Sequence, residues 1–171
     1  MLAQSLIGIF TRDLSALRRE LEAYPDEEWI WLRPTGHPNS AGVLARHLAG
    51  NLQHYIGAVL GDSGYRRDRD AEFQAPPWSR ARLLVELAQT ERVVVTALEH
   101  LTHEQLSGRY PHAVGQRELG TTDFLVHLAV HCGFHLGQID YHRRTVTEAE
   151  TSITPMGVFA LATAREVQTA P

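Results

Sequence analysis

Apolar residues at Leu2, Leu6, Ile9, Phe10, Leu14, Leu17 and Leu21 recur at the three- and four-residue steps that line one face of an α-helix, and predict a first amphipathic helix from Leu2 to about Tyr24. Pro25 ends it, and the stretch from Asp26 to Pro38, with Trp29, Trp31, Pro34 and Gly36, reads as a structured connection whose tryptophans cover the core. Asn39 and Ser40 are good capping residues. After them the helical period resumes at Val43, Leu44, His47, Leu48, Asn51, Leu52, Tyr55, Ile56 and Val59, predicting a second helix as far as Gly61. The polar segment from Gly61 to Pro77 reads as a long surface crossover, of a length that can join parallel neighbours. Its Arg66–Asp70 charges alternate in sign and are expected in solvent.

Ser79 caps a third predicted helix through about Leu101. Thr102 to Gly120, with four glycine or proline interruptions, reads as a loop with room for a short hairpin. Thr121 or Thr122 is the expected cap of a fourth helix, buried in part by Phe124, Leu125, Leu128, Phe134, Leu136 and Ile139, with Arg143 and Arg144 in its last turn. A short final helix is expected after Pro155 through Met156, Val158, Phe159 and Leu161, with fraying beyond Val167. Four principal helices, one long crossover, a short C-terminal helix and little strand pattern predict an all-α fold, a four-helix bundle, forming a single domain over residues 1–171.

The fourth helix carries more than packing. His127, His131 and His135 stand four residues apart, and each such step advances about 40° around a helix and about 6 Å along it, so the three rings climb one face. Neutral imidazole is the commonest protein ligand for a metal. A catalytic zinc, nickel, cobalt or ferrous ion takes about three protein ligands and keeps a position open. His131 and His135 can supply two of them, and the second helix offers either His47 or His54 on the face that also carries Asn51. Spacing alone leaves that choice open, although His54 lies about 10 Å along the helix from His47, too far to share one ion with it. His127 reads as a rim or supporting position.

Composition narrows the chemistry. At 171 residues, 43% hydrophobic and 21% charged, the chain can bury a real core without cross-links. Its single cysteine, Cys132, reads as a small core residue. It excludes a cysteine-based zinc knuckle and suits a reducing compartment. A formal net charge of −4 without a basic stripe argues against nucleic acid as a partner, and short apolar runs argue against membrane spanning or export, so the expected location is the cytoplasm.

Around the histidines, Gln138 can orient a ligand or water, Arg143 and Arg144 can pair with the carboxylates of a cofactor, and His54 can face a substrate pocket. Each also has a plainer reading in packing or dipole complementation. His37, His100, His103, His112 and His142 fall in loops, at helix ends or in a last turn, and read as surface residues. No Ser-His-Asp order, phosphate-cradling loop or carboxylate base emerges, so no catalytic residue is assigned.

Asn39-Ser40-Ala41-Gly42-Val43-Leu44-Ala45-Arg46-His47-Leu48-Ala49 and His131-Cys132-Gly133-Phe134-His135-Leu136-Gly137-Gln138-Ile139 together resemble the DinB/YfiT-like four-helix bundles, over essentially the whole domain. The resemblance implies a metal site of His47, which precedes a Leu-Ala step, with His131 and His135 of the H-x-x-x-H-x-G-Q element. It also implies the activity of thiol-dependent S-transferases and isomerases that use low-molecular-weight thiols such as bacillithiol or mycothiol. Stress-related regulation and homodimer formation follow from it too. The expectation is a metal-dependent enzyme holding zinc or nickel, with iron, cobalt or manganese as alternatives, whose partners are a small-molecule thiol and an electrophile. A metal-dependent hydrolase and a non-catalytic dimeric stress or binding protein with a structural metal are the rival expectations.

Overall fold

The computed structural model describes residues 2–153, 157–161 and 163–167, and among these it is all-helical, with two isolated antiparallel bridges in place of any strand. Helix α1 (Leu2–Glu22) buries Leu6, Phe10, Leu14, Leu17 and Leu21 along the face the sequence marks out. A 3-10 turn (Glu27–Trp31), capped by Asp26, puts Ile30 in the core and holds Trp31 by a hydrogen bond from its ring N–H to the Trp78 carbonyl.

Helix α2 (Ala41–Leu52) starts where Ser40 accepts a hydrogen bond from the Val43 N–H at 3.3 Å, an N-cap that satisfies one of the helix's orphan donors. Every residue of α2 except Val43 is buried. The chain runs on helically to Gly61, as the sequence predicts, but through a π-helical stretch (Gln53–Ala58) that the apolar period does not announce. Such bulges are frequent near functional sites.

The predicted surface crossover departs from expectation. It contains helix α3 (Arg69–Gln74), capped by Asp68, and Glu72 and Arg67 turn inward while their neighbours face water. Arg46 explains the docking. Buried within α2, it donates to the carbonyls of Glu72, Ala75 and Pro76, and its guanidinium lies within cation–π distance of Trp31 and Trp78.

Helix α4 (Arg80–His100) is capped by Ser79, as expected. Helix α5 (His103–Ser107), inside the predicted loop, carries a capping box between Thr102 and Gln105. Bridges at Arg109–Gly120 and Val114–Arg117 then form the short hairpin-like turn. Helix α6 (Thr121–Thr147) begins at Gly120 with no side-chain cap. The expected cap Thr122 instead donates to the Leu106 carbonyl, tying α6 to the preceding loop.

The predicted final helix is a single 3-10 turn (Val158–Ala160), and its expected start at Pro155 and Met156, like the fraying expected after Val167, lies outside the described residues.

The four long helices contact one another in a ring. Helix α1 packs on α4 and α6, and α2 with its π-helical continuation packs on α4 and α6 from the opposite side. Helices α2 and α6 run antiparallel: Leu44 and Gln138 line one cavity, His47 meets His131 and His135, and Tyr55, in the continuation of α2, meets Phe124. The core between them holds Leu48, Leu52, Leu128, Cys132 and Leu136. No helix of the described residues is long and apolar enough to cross a membrane.

Candidate metal centre

His47 from α2 and His131 and His135 from α6 converge, each offering a ring nitrogen such that all three lie within 4.8 Å of one another. His131 Nε2 is 3.0 Å from His135 Nε2 and 3.4 Å from His47 Nε2. The ring planes stand nearly perpendicular to each other, at 84° to 88°. His47 is buried and the other two are half-buried.

The nitrogens on the far side of two of these rings are held by acceptors. His47 Nδ1 lies 2.8 Å from Glu72 Oε2, and His135 Nδ1 lies 2.6 Å from Gln138 Oε1. An Nδ1–H donated to each acceptor leaves the Nε2 lone pair free, the tautomer a metal ligand needs. Glu72 is itself fixed by Arg67, whose Nε and a terminal nitrogen donate to the two carboxylate oxygens at 2.6 and 2.9 Å. Burial alone would raise the Glu72 carboxyl, but the hydrogen bonds and charges of His47 and Arg67 outweigh it and hold the group ionised below the usual range.

Burial, then the neighbouring His135 and His47, push His131 down to about 4, and burial likewise lowers His135 against the opposing bond to Gln138. Near neutral pH His131 and His135 are therefore uncharged, with lone pairs available to a cation. The three nitrogen donors fit a divalent metal ion. Among the described residues the cluster has three members, so an ion held there keeps at least one position for another ligand. The Nδ1 of His131 and the Oδ1 of Asn51, one turn beyond His47 on α2, are buried without a hydrogen-bond partner among the described residues.

The other residues singled out by sequence lie as follows. His127 is exposed on α6 and stacks between Phe124 and His131 at centroid distances of 6.0 and 6.2 Å. His54 sits in the π-helical stretch against Tyr55. Its charged form is disfavoured by burial and by Arg67 and His112. Arg143 is buried at the far end of α6, paired with Glu20 and Asp140, and Arg144 bonds the carbonyls of Ala149 and Glu150. His142, expected at the surface, is buried between the Tyr24 hydroxyl and the Leu32 carbonyl, both at 2.8 Å. Cys132 is fully buried and its thiol is pushed well up by that burial.

Sequence reasoning found no carboxylate on the site face, and Glu72 corrects it. The missed signal is Gly50, a glycine in the middle of a helix. A Cβ there would sit 2.2 Å from Glu72 Oε1, so only glycine leaves room for the carboxylate against α2.

No curated protein compared with the chain matches it. The family described as "Protein of unknown function (DUF1572)" matches residues 4–156, and the chain belongs to that family.

Proposed function

We propose that the chain is a divalent-metal-dependent enzyme on a DinB/YfiT-like four-helix bundle, and that it joins a low-molecular-weight thiol to an electrophile. The observation that carries this reading is the converging three-imidazole set, with His47 and His135 each aligned from behind by Glu72 and Gln138. Zinc or nickel suits it, with iron, cobalt or manganese as alternatives. A divalent ion there would supply a Lewis acid that favours the thiolate over a thiol whose ordinary pKa is about 8.5.

The chain's own residues shape what such an ion can serve. Cys132 is sealed in the core, so the sulfur nucleophile has to come from a separate molecule. Both oxygens of Glu72 are engaged by His47 and Arg67, so Glu72 is not free to act as a base toward water, which weighs against the hydrolase. The three-member ligand set weighs against a closed structural site. We place the enzyme in the cytoplasm, with a second copy of the chain as its partner. That copy would cover Val126, Val130 and Phe134, an exposed apolar stripe at four-residue steps on α6.

A panel of electrophiles offered with several cellular thiols, to metal-loaded and metal-stripped protein, tests the activity. Conjugation in the loaded protein with at least one pair is expected. Its absence across the panel, with the ion demonstrably bound, contradicts the transferase.

A further inference from the structure

A cavity of about 200 Å³ opens beside the histidines, between the loop at Gly36–Asn39, Leu44 of α2, and Gln138 and Tyr141 of α6. Leu44 precedes His47 by three residues and Gln138 follows His135 by three, so two of the cavity's walls are set about one helical turn along α2 and α6 from these histidines. Its volume is several times the ~30 Å³ share of a water molecule and below the ~300 Å³ of a pocket that encloses a whole ligand. It fits one arm of a molecule. No Arg, Lys, Asp or Glu lines it, and its titratable side chains are His37 and Tyr141, so no permanently charged group on its wall would pair with a charged arm.

Among the polar side chains that line the cavity, His37, Asn39, Gln138 and Tyr141, only Gln138 also bonds a member of the histidine cluster. Gln138 Oε1, 2.6 Å from His135 Nδ1, can only accept, so the His135 ring hydrogen sits on Nδ1 and its Nε2 faces His131 as a lone pair. The amide is thereby fixed with its NH2 on the other side. Among the described residues this bond to His135 is the one hydrogen bond of the Gln138 side chain, and the same side chain borders the cavity.

We propose that this cavity receives an uncharged, largely apolar group of the electrophilic substrate that carries one hydrogen-bond acceptor, a carbonyl oxygen, to which the Gln138 NH2 donates. The proposal rests on the thiol-transferase reading for the role of that substrate, while the binding itself depends on the cavity. Gln138 thus couples the ion's ligand to the electrophile. Its Oε1 sets the His135 tautomer and its Nε2 orients the carbonyl.

Titration of isotope-labelled, zinc-loaded protein with cyclopentanone, and in parallel with methylcyclopentane, which has the same shape without the acceptor, tests this by nuclear magnetic resonance. Cyclopentanone is expected to shift the Gln138 side-chain amide and the backbone amides of Gly36, His37 and Asn39, and to bind about three- to tenfold more tightly than the hydrocarbon. Gln138→Glu keeps an oxygen for His135 but removes the donor, and should bring the ketone down to the hydrocarbon's affinity. Leu44→Phe fills the cavity and should abolish both shifts with the rest of the spectrum intact. Equal affinity for the two probes, shifts confined to other residues, or a ketone affinity unchanged in Gln138→Glu would overturn the proposal. Zinc content measured on the same samples separates the two claims: protein that takes up no zinc yet binds the ketone in this way refutes the metal reading alone, and zinc-loaded protein indifferent to the ketone refutes the cavity alone.

Discussion

At Gly50 the absence of a side chain lets a carboxylate from a distant segment lie against α2 and reach His47. Gly50→Ala would place a methyl group 2.2 Å from Glu72 Oε1 and force the carboxylate away, leaving the His47 ring without its orienting acceptor. Partners of this kind typically contribute ten- to a hundredfold to metal affinity. We therefore expect Gly50→Ala, and Glu72→Gln, which keeps the shape but drops the charge, each to weaken zinc binding by about that factor in a competitive chelator titration, with helical content retained. Affinity unchanged in both variants would remove Glu72 from the site.

Among the elements, those with a long apolar period were legible and those made by tertiary contacts were not. Helices α1, α4 and α6, and α2 with its continuation to Gly61, could be placed from their apolar steps because each carries a buried apolar row over five or more turns. Helix α3 has six residues, mostly polar, and is held by Arg46 reaching out of α2, a contact no local pattern encodes. For the same reason the charges around Arg67 read as solvated, although Arg67 and Glu72 face inward and support the histidine cluster. The α6 histidines were visible as a stripe, whereas the choice of His47 over His54 needed the family resemblance, since both share a face of the second helix.

The outward face of α6 carries its own expectation. If a second copy covers Val126, Val130 and Phe134, Phe134→Glu should shift the protein from dimer to monomer in light scattering while leaving its helical content unchanged. A wild-type chain that is monomeric at tens of micromolar would contradict the dimer.

For the whole molecule, burying neutral histidines ties stability to pH. The folded metal-free protein resists protonating His131 down to about 4, whereas the unfolded chain takes up that proton near 6.5. Between these values the unfolded state binds more protons, so stability is full above about 6.5 and declines as the pH falls toward 4. His142, lowered by its burial, pulls in the same direction. Urea midpoints of the metal-free protein should follow that slope, and a midpoint constant from pH 6.5 to 4 would contradict it.

Everything proposed for function rests on His47, His131 and His135 holding a divalent ion. Elemental analysis of purified protein reconstituted with zinc, then freed of loose metal, should find about one ion per chain. In His131→Ala/His135→Ala, with helical content retained, it should find essentially none. Full occupancy in that double variant, or no retained ion in the wild-type chain, would contradict the metal centre.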